Sequence, residues 1–153
     1  MFEFKKQNDL AKETETRVCR YLRNNGLVVT NVADDPQYFK QGVDLIVTEP
    51  NSEYSIDVKA DYQIKDTGNV FLEVISQIRI NGQMRAGWLV KPIDYIYYVD
   101  TVSWLCYIYD REQLFQWAYN QKSGRYGTAQ NDGYISWGIL MPKESCAYKQ
   151  IRV

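Results

Sequence analysis

Gly42-Val43-Asp44-Leu45-Ile46-Val47-Thr48-Glu49-Pro50-Asn51-Ser52-Glu53-Tyr54-Ser55-Ile56-Asp57-Val58-Lys59-Ala60 is the stretch on which the fold turns. Its second half alternates apolar and polar residues. Alternate side chains of a strand point to opposite faces, so Ile56 and Val58 go one way and Asp57 and Lys59 the other. Residues 43–49 form a second strand candidate, and Pro50-Asn51 is the most turn-like pair between the two. With that pair at the centre of a hairpin, antiparallel pairing sets Asp44 opposite Asp57 on one face. Two like charges there destabilise a sheet unless something positive lies between them. A divalent cation would supply that charge and could activate a water against a phosphodiester.

Composition narrows the chemistry. The chain has 153 residues, 45% of them hydrophobic and 24% charged, which suits a single domain over residues 1–153 with one real core. A formal net charge of -1 argues against coating nucleic acid by bulk attraction, so local patches must do any such work. Histidine is absent, which removes Ser-His-Asp and Cys-His triads and every histidine-ligated metal. Oxygen-only ligation selects hard ions, hence Mg²⁺ or Mn²⁺. Cys19, Cys106 and Cys146 are odd in number and widely spaced, which gives neither a disulfide framework nor a zinc site and points to a reducing, cytoplasmic compartment. No stretch reads as a membrane span or as a signal peptide.

Outward from the hairpin, Asn8 or Asp9 can cap a helix over 10–25 with Gly26 as its stop. Ala11, Glu15, Val18 and Leu22 share one stripe of it, which puts a carboxylate on the face expected to pack against the sheet. Residues 31–41 read as a polar loop. After a turn at 66–69, residues 70–75 form a third strand with Phe71, Glu73 and Ile75 on one side. Residues 74–93 carry no acid but include Arg79, Arg85 and Lys91. Residues 95–99 and 104–109 read as aromatic-rich strands, 111–121 as a helix capped by Asp110, 122–132 as a loop, and 134–140 as a last strand before a helical turn after Pro142.

A helix with a glutamate on its packed face, a strand opening on aspartate and a strand carrying Asp-x-Lys together resemble the PD-(D/E)xK nuclease superfamily. Within it the likeness is to Holliday-junction-resolvase-like and small phage nucleases. Residues 9–100 carry it: Asp44 matches the motif's first acid, Asp57 the second, Lys59 the lysine and Glu15 the first-helix glutamate. Glu15 to Leu27 is similar to the opening helix of the resolvases, and Thr67 to Glu73 to the segment that follows the lysine in phage-type members. Val43-Asp44 stands in place of Pro-Asp, and aspartate in place of the commoner glutamate before x-Lys; neither change removes a ligand.

The resemblance implies an α/β fold with a restriction-endonuclease-like αβββαβ core, a central mixed sheet flanked by helices and a very short second core helix. It implies a Mg²⁺-dependent deoxyribonuclease of bacterial or phage-infected cells, an endonuclease selective for junctions or branched DNA and working as a homodimer. Asp44, Asp57, the Val58 carbonyl and Glu15 would hold the metal, Lys59 would orient water or neutralise phosphate charge, and Arg79, Arg85 and Lys91 would contact DNA. Glu73 is a further site candidate. The ordinary alternatives are a salt-bridged exposed strand face for Asp57 and Lys59, and a helix-surface role for Glu15. For the whole chain the alternative is a non-catalytic nucleic-acid- or protein-binding module on a nuclease-like fold.

Overall fold

The structure, a computed structural model, describes residues 2–121, 126–131 and 133–153. In chain order the elements are α1 (Phe2–Asn24), β1 (Val28–Asn31), α2 (Pro36–Phe39), β2 (Leu45–Glu49), β3 (Ser52–Asp61), α3 (Ile64–Thr67), β4 (Asn69–Ile78) and β5 (Met84–Ala86). A 3-10 turn at Trp88–Val90 leads to β6 (Tyr95–Asp100), β7 (Leu105–Asp110), α4 (Arg111–Tyr119), β8 (Tyr126–Asn131), β9 (Tyr134–Pro142), a second 3-10 turn at Lys143–Ser145, and β10 (Lys149–Arg152).

The hairpin forms as its sequence dictates. Leu45 pairs with Ile56 and Glu49 with Ser52, the register that a Pro50-Asn51 turn imposes. Around it lies a six-stranded mixed sheet of order β1-β2-β3-β6-β7-β10, in which only β3 and β6 run parallel. The fold is therefore α/β, with a second layer that the sequence did not announce. Residues 70–75 do not extend the central sheet: β4 founds a separate antiparallel sheet of order β5-β4-β9-β8. The cause lies in its inward residues. Val70 and Leu72 are fully buried and stack on the face of the central sheet, with Ile46, Ile96 and Tyr98, so β4 lies across that sheet instead of pairing with its edge. Tyr98 ties the layers together, accepting from the Phe71 amide at 3.2 Å and donating to Asp61.

The two faces of the central sheet thus have different covers. Leu45, Val47, Ile56, Val58 and Val99 bury against Val18, Cys19 and Leu22 of α1. The other face packs on the second sheet, on Trp88 and Leu89, and on Leu114 of α4. Asp110 caps α4 as expected, accepting from the Gln113 amide at 3.1 Å.

Several expected boundaries move. α1 begins at Phe2, so Asn8 and Asp9 lie inside it instead of capping it. Its end is as expected, with Gly26 at φ +84°, where a side chain would be strained. Residues 28–31 are a strand, and residues 36–39 a single helical turn capped by Asp35. The loop expected over 122–132 is a strand over Tyr126–Asn131, paired with β9; residues 122–125 and 132 lie outside the described residues. Between β3 and β6 the helical structure is limited to α3 and a 3-10 turn, on either side of β4 and β5. All three cysteines are free.

Candidate functional site

Asp44 stands immediately before β2, and its Oδ2 accepts from the Val58 amide at 2.8 Å, which fixes its carboxylate against the middle of β3. Asp57 follows from strand alternation: Ile56 and Val58 fill the α1 side, so Asp57 is turned between the two sheets, where it is 2% exposed. Lys59, two residues on, shares that side. Its Nζ lies 3.1 Å from Asp57 Oδ2 and 5.9 Å from the centre of the Trp88 ring. The contact with Asp57 is one of charge and not of aligned hydrogen bonding, for Oδ2 is buried without a hydrogen-bond partner.

Burial pushes the Asp57 carboxyl up to about 8; Asp44 close by adds to the rise and Lys59 opposes it. Asp44 is raised as well, first by burial, with Lys59 and the Val58 amide pulling the other way. Two carboxylates and one ammonium therefore form a single titrating unit. Lys59 loses some of its preference for charge through burial, yet Asp57, Asp44 and Glu73 together hold its ammonium above the ordinary lysine value. A lysine so placed stays charged and cannot serve as a base.

Glu15 comes from α1, one turn before Val18. It is raised by burial and by the fields of Asp34 and Asp57, and it feels Lys59, so the helix does deliver it to the edge of the cluster. Glu73 reaches the cluster from the second sheet. It stands beside the bulge that shifts the β4–β9 register between Glu73 and Ile75, accepts from Ser136 Oγ, and acts electrostatically on Lys59. Asp44, Asp57, Lys59 and Glu73 are thus brought together between the layers, with Glu15 reaching their edge from the α1 side.

Arg79, Arg85 and Lys91 are not part of that group. Arg79 follows β4 and bonds Gln130, Arg85 is exposed on β5, and Lys91 lies against Gly42. No ion pair joins any of the three to the acids among the described residues.

The sequence reading missed Ser136, Tyr134 and Asp34. Tyr134 is within the fields of Glu73 and Lys59. No local pattern marks it, because only the pairing of β4 with β9 carries it there. Trp88 is core and also forms a wall of the site.

Every acidic donor here is a carboxylate oxygen, which suits a hard cation. Among the described residues, no three acidic or cysteine side chains are drawn together as a ready metal-binding set. Asp44 and Asp57 are the pair that could hold one; Asp57 Oδ2 has no aligned hydrogen bond, with the Lys59 ammonium 3.1 Å away. Mg²⁺ commonly takes only one or two carboxylates and completes its shell with water and substrate phosphate.

No family model matches the chain, and neither a curated protein nor a solved structure matches it.

Proposed function

We propose that the protein is a metal-dependent nuclease that hydrolyses phosphodiester bonds in DNA. The observation that carries this reading is the buried Asp57 Oδ2, without a hydrogen-bond partner, beside Asp44 and 3.1 Å from the Lys59 ammonium. A structural ion pair would be expected to satisfy its buried oxygens. The sheet order β1-β2-β3-β6, with β6 parallel to β3, also favours this reading, although β4 and β5 stand between β3 and β6 in the chain where an αβββαβ core has its second helix.

Asp44 and Asp57 would hold Mg²⁺ or Mn²⁺, with the Val58 carbonyl as a further donor and Glu15 acting through a water. When bound, the ion would supply Lewis-acid charge to the attacking water and the phosphate oxygens. Lys59, permanently charged, neutralises a phosphate oxygen or orients the water through an N–H. The Val58 amide fixes the rotamer of Asp44, so that carboxylate needs no reorganisation when substrate arrives. Arg79, Arg85 and Lys91 contact the phosphate backbone away from the cleavage point.

A non-catalytic binding module on the same scaffold is the second reading. It is favoured by the absence of a three-acid set among the described residues and by the presence of Lys59 where added positive charge would be needed.

One assay separates the two: labelled linear, flap and four-way-junction DNA with Mg²⁺ or Mn²⁺, for wild type and Asp57→Ala. The nuclease cuts in a metal-dependent way, and Asp57→Ala binds DNA but loses cutting by at least about a hundredfold. Equal cutting by the variant, or binding without cutting by wild type, defeats the nuclease reading. The same series measures whether branched DNA is preferred, and sedimentation measures whether the active species is a dimer.

A further inference from the structure

Helix α1 covers only part of the face it packs on. On that same face, towards the Pro50-Asn51 end, Tyr54, Tyr95, Tyr97 and Ile108 floor an open cavity of about 630 Å³. Strand alternation puts it on the opposite side of the sheet from Asp57 and Lys59. Glu49, Asp110 and Lys149 line its walls.

An adjoining depression of about 370 Å³ shares Tyr54, Tyr95 and Asp110 and adds Glu53, Asp94 and Glu112. Arg111 is the cation there, but its guanidinium is committed to the Ile93 carbonyl at 2.7 Å, the Leu89 carbonyl at 2.9 Å and Glu112 at 2.9 Å. The two hollows together present an acidic, tyrosine-lined surface.

We propose that this surface docks a basic segment of a partner protein, with a lysine or arginine side chain seated on the Tyr54–Tyr95 pair between Glu49 and Asp110. The two rings pack edge to face at 5.3 Å and 78°, and both line the cavity. Tyrosine faces attract cations through their quadrupole, and carboxylates at the rim add to the attraction. Tyr97 supplies an independent observation. It is 6% exposed and lines the cavity, yet its hydroxyl has no hydrogen-bond partner among the described residues. Its ring is packed away while its hydroxyl opens on the cavity, since Asp57 Oδ2 is the one buried side-chain oxygen or nitrogen left unpaired among the described residues, and there it can accept an N–H from an occupant. Charge decides the class of partner. Phosphate is repelled by these acids, and a single small cation would use the first hollow alone, whereas an extended basic segment places successive cations in both.

The experiment is fluorescence anisotropy of the full chain with a labelled peptide of alternating arginine and glycine, beside its glutamate counterpart. The arginine peptide binds saturably and the glutamate peptide does not. Tyr54→Leu and Glu49→Lys each weaken binding about tenfold. Tyr97→Phe, which removes only the hydroxyl, weakens it about threefold. Melting curves identify any variant that has merely unfolded. Asp57→Asn binds the peptide as wild type does, so the outcome is independent of the nuclease reading. Absence of saturable binding below millimolar concentration, or unchanged binding by the Tyr54→Leu/Glu49→Lys double variant, overturns the proposal. Equal affinity for free arginine amide overturns it too, for the occupant would then be a small cation and not a protein segment.

Discussion

Burial imposes an electrostatic cost on Asp57, and that cost has a sign that can be measured. Its carboxyl ionises at about 8 in the folded chain against 3.8 for an unperturbed aspartate, chiefly because it is buried. The native state therefore holds a proton that the unfolded chain has already released, and stability falls as the proton is lost. Metal-free protein should be most stable below about pH 4 as far as this group is concerned, lose stability as pH rises towards 8, and level off above. Melting temperature against pH tests this. Asp57→Asn should flatten the slope and raise stability at pH 8 by about 0.5–2 kcal/mol, the usual gain when a functional site is relieved of strain. Lys59→Met should carry the Asp57 carboxyl still higher, because Lys59 opposes its rise, so the variant should go on losing stability between pH 8 and about pH 10 where wild type levels off. A lysine that contributes nothing would leave the two profiles alike.

Among the elements, the β4–β9 pair controls how the second sheet delivers Glu73. A Cβ on Gly138, the partner of Glu73, would lie 2.3 Å from the Leu72 carbonyl oxygen, so the strands approach as closely as they do only because that position has no side chain. Gly138→Ala should cost about 1–3 kcal/mol through forced separation of the strands. Urea denaturation gives the cost. The same displacement would carry Glu73 away from Lys59, so a loss of cutting beyond that explained by unfolding is expected in the proposed nuclease. The hairpin of β2 and β3 was legible because its turn and its alternation agree, leaving one register. The helix start was not, because Asn8 and Asp9 are good caps in isolation and nothing local shows that the chain upstream continues the helix.

Across the whole molecule, a net charge of -1 leaves long-range attraction for DNA weak, so in the proposed nuclease affinity would come from the few cations on the β4–β5 hairpin and beside the site. Arg79→Ala and Arg85→Ala should each lower the slope of log affinity against log salt by about one, with little change in specificity. A filter-binding titration over a range of salt shows this; an unchanged slope would place the DNA elsewhere. The sequence by itself determined the hairpin, its register and the approach of Asp44, Asp57 and Lys59, because strand period and turn chemistry are local. It also excluded histidine chemistry by containing no histidine. Only the tertiary structure decided that β4 stacks on the central sheet instead of joining it, that Glu73, Ser136 and Tyr134 therefore stand with the acids, and that Asp57 is buried deeply enough to resist ionisation. Those outcomes depend on which apolar faces find each other across long stretches of chain, and no window of sequence contains both partners.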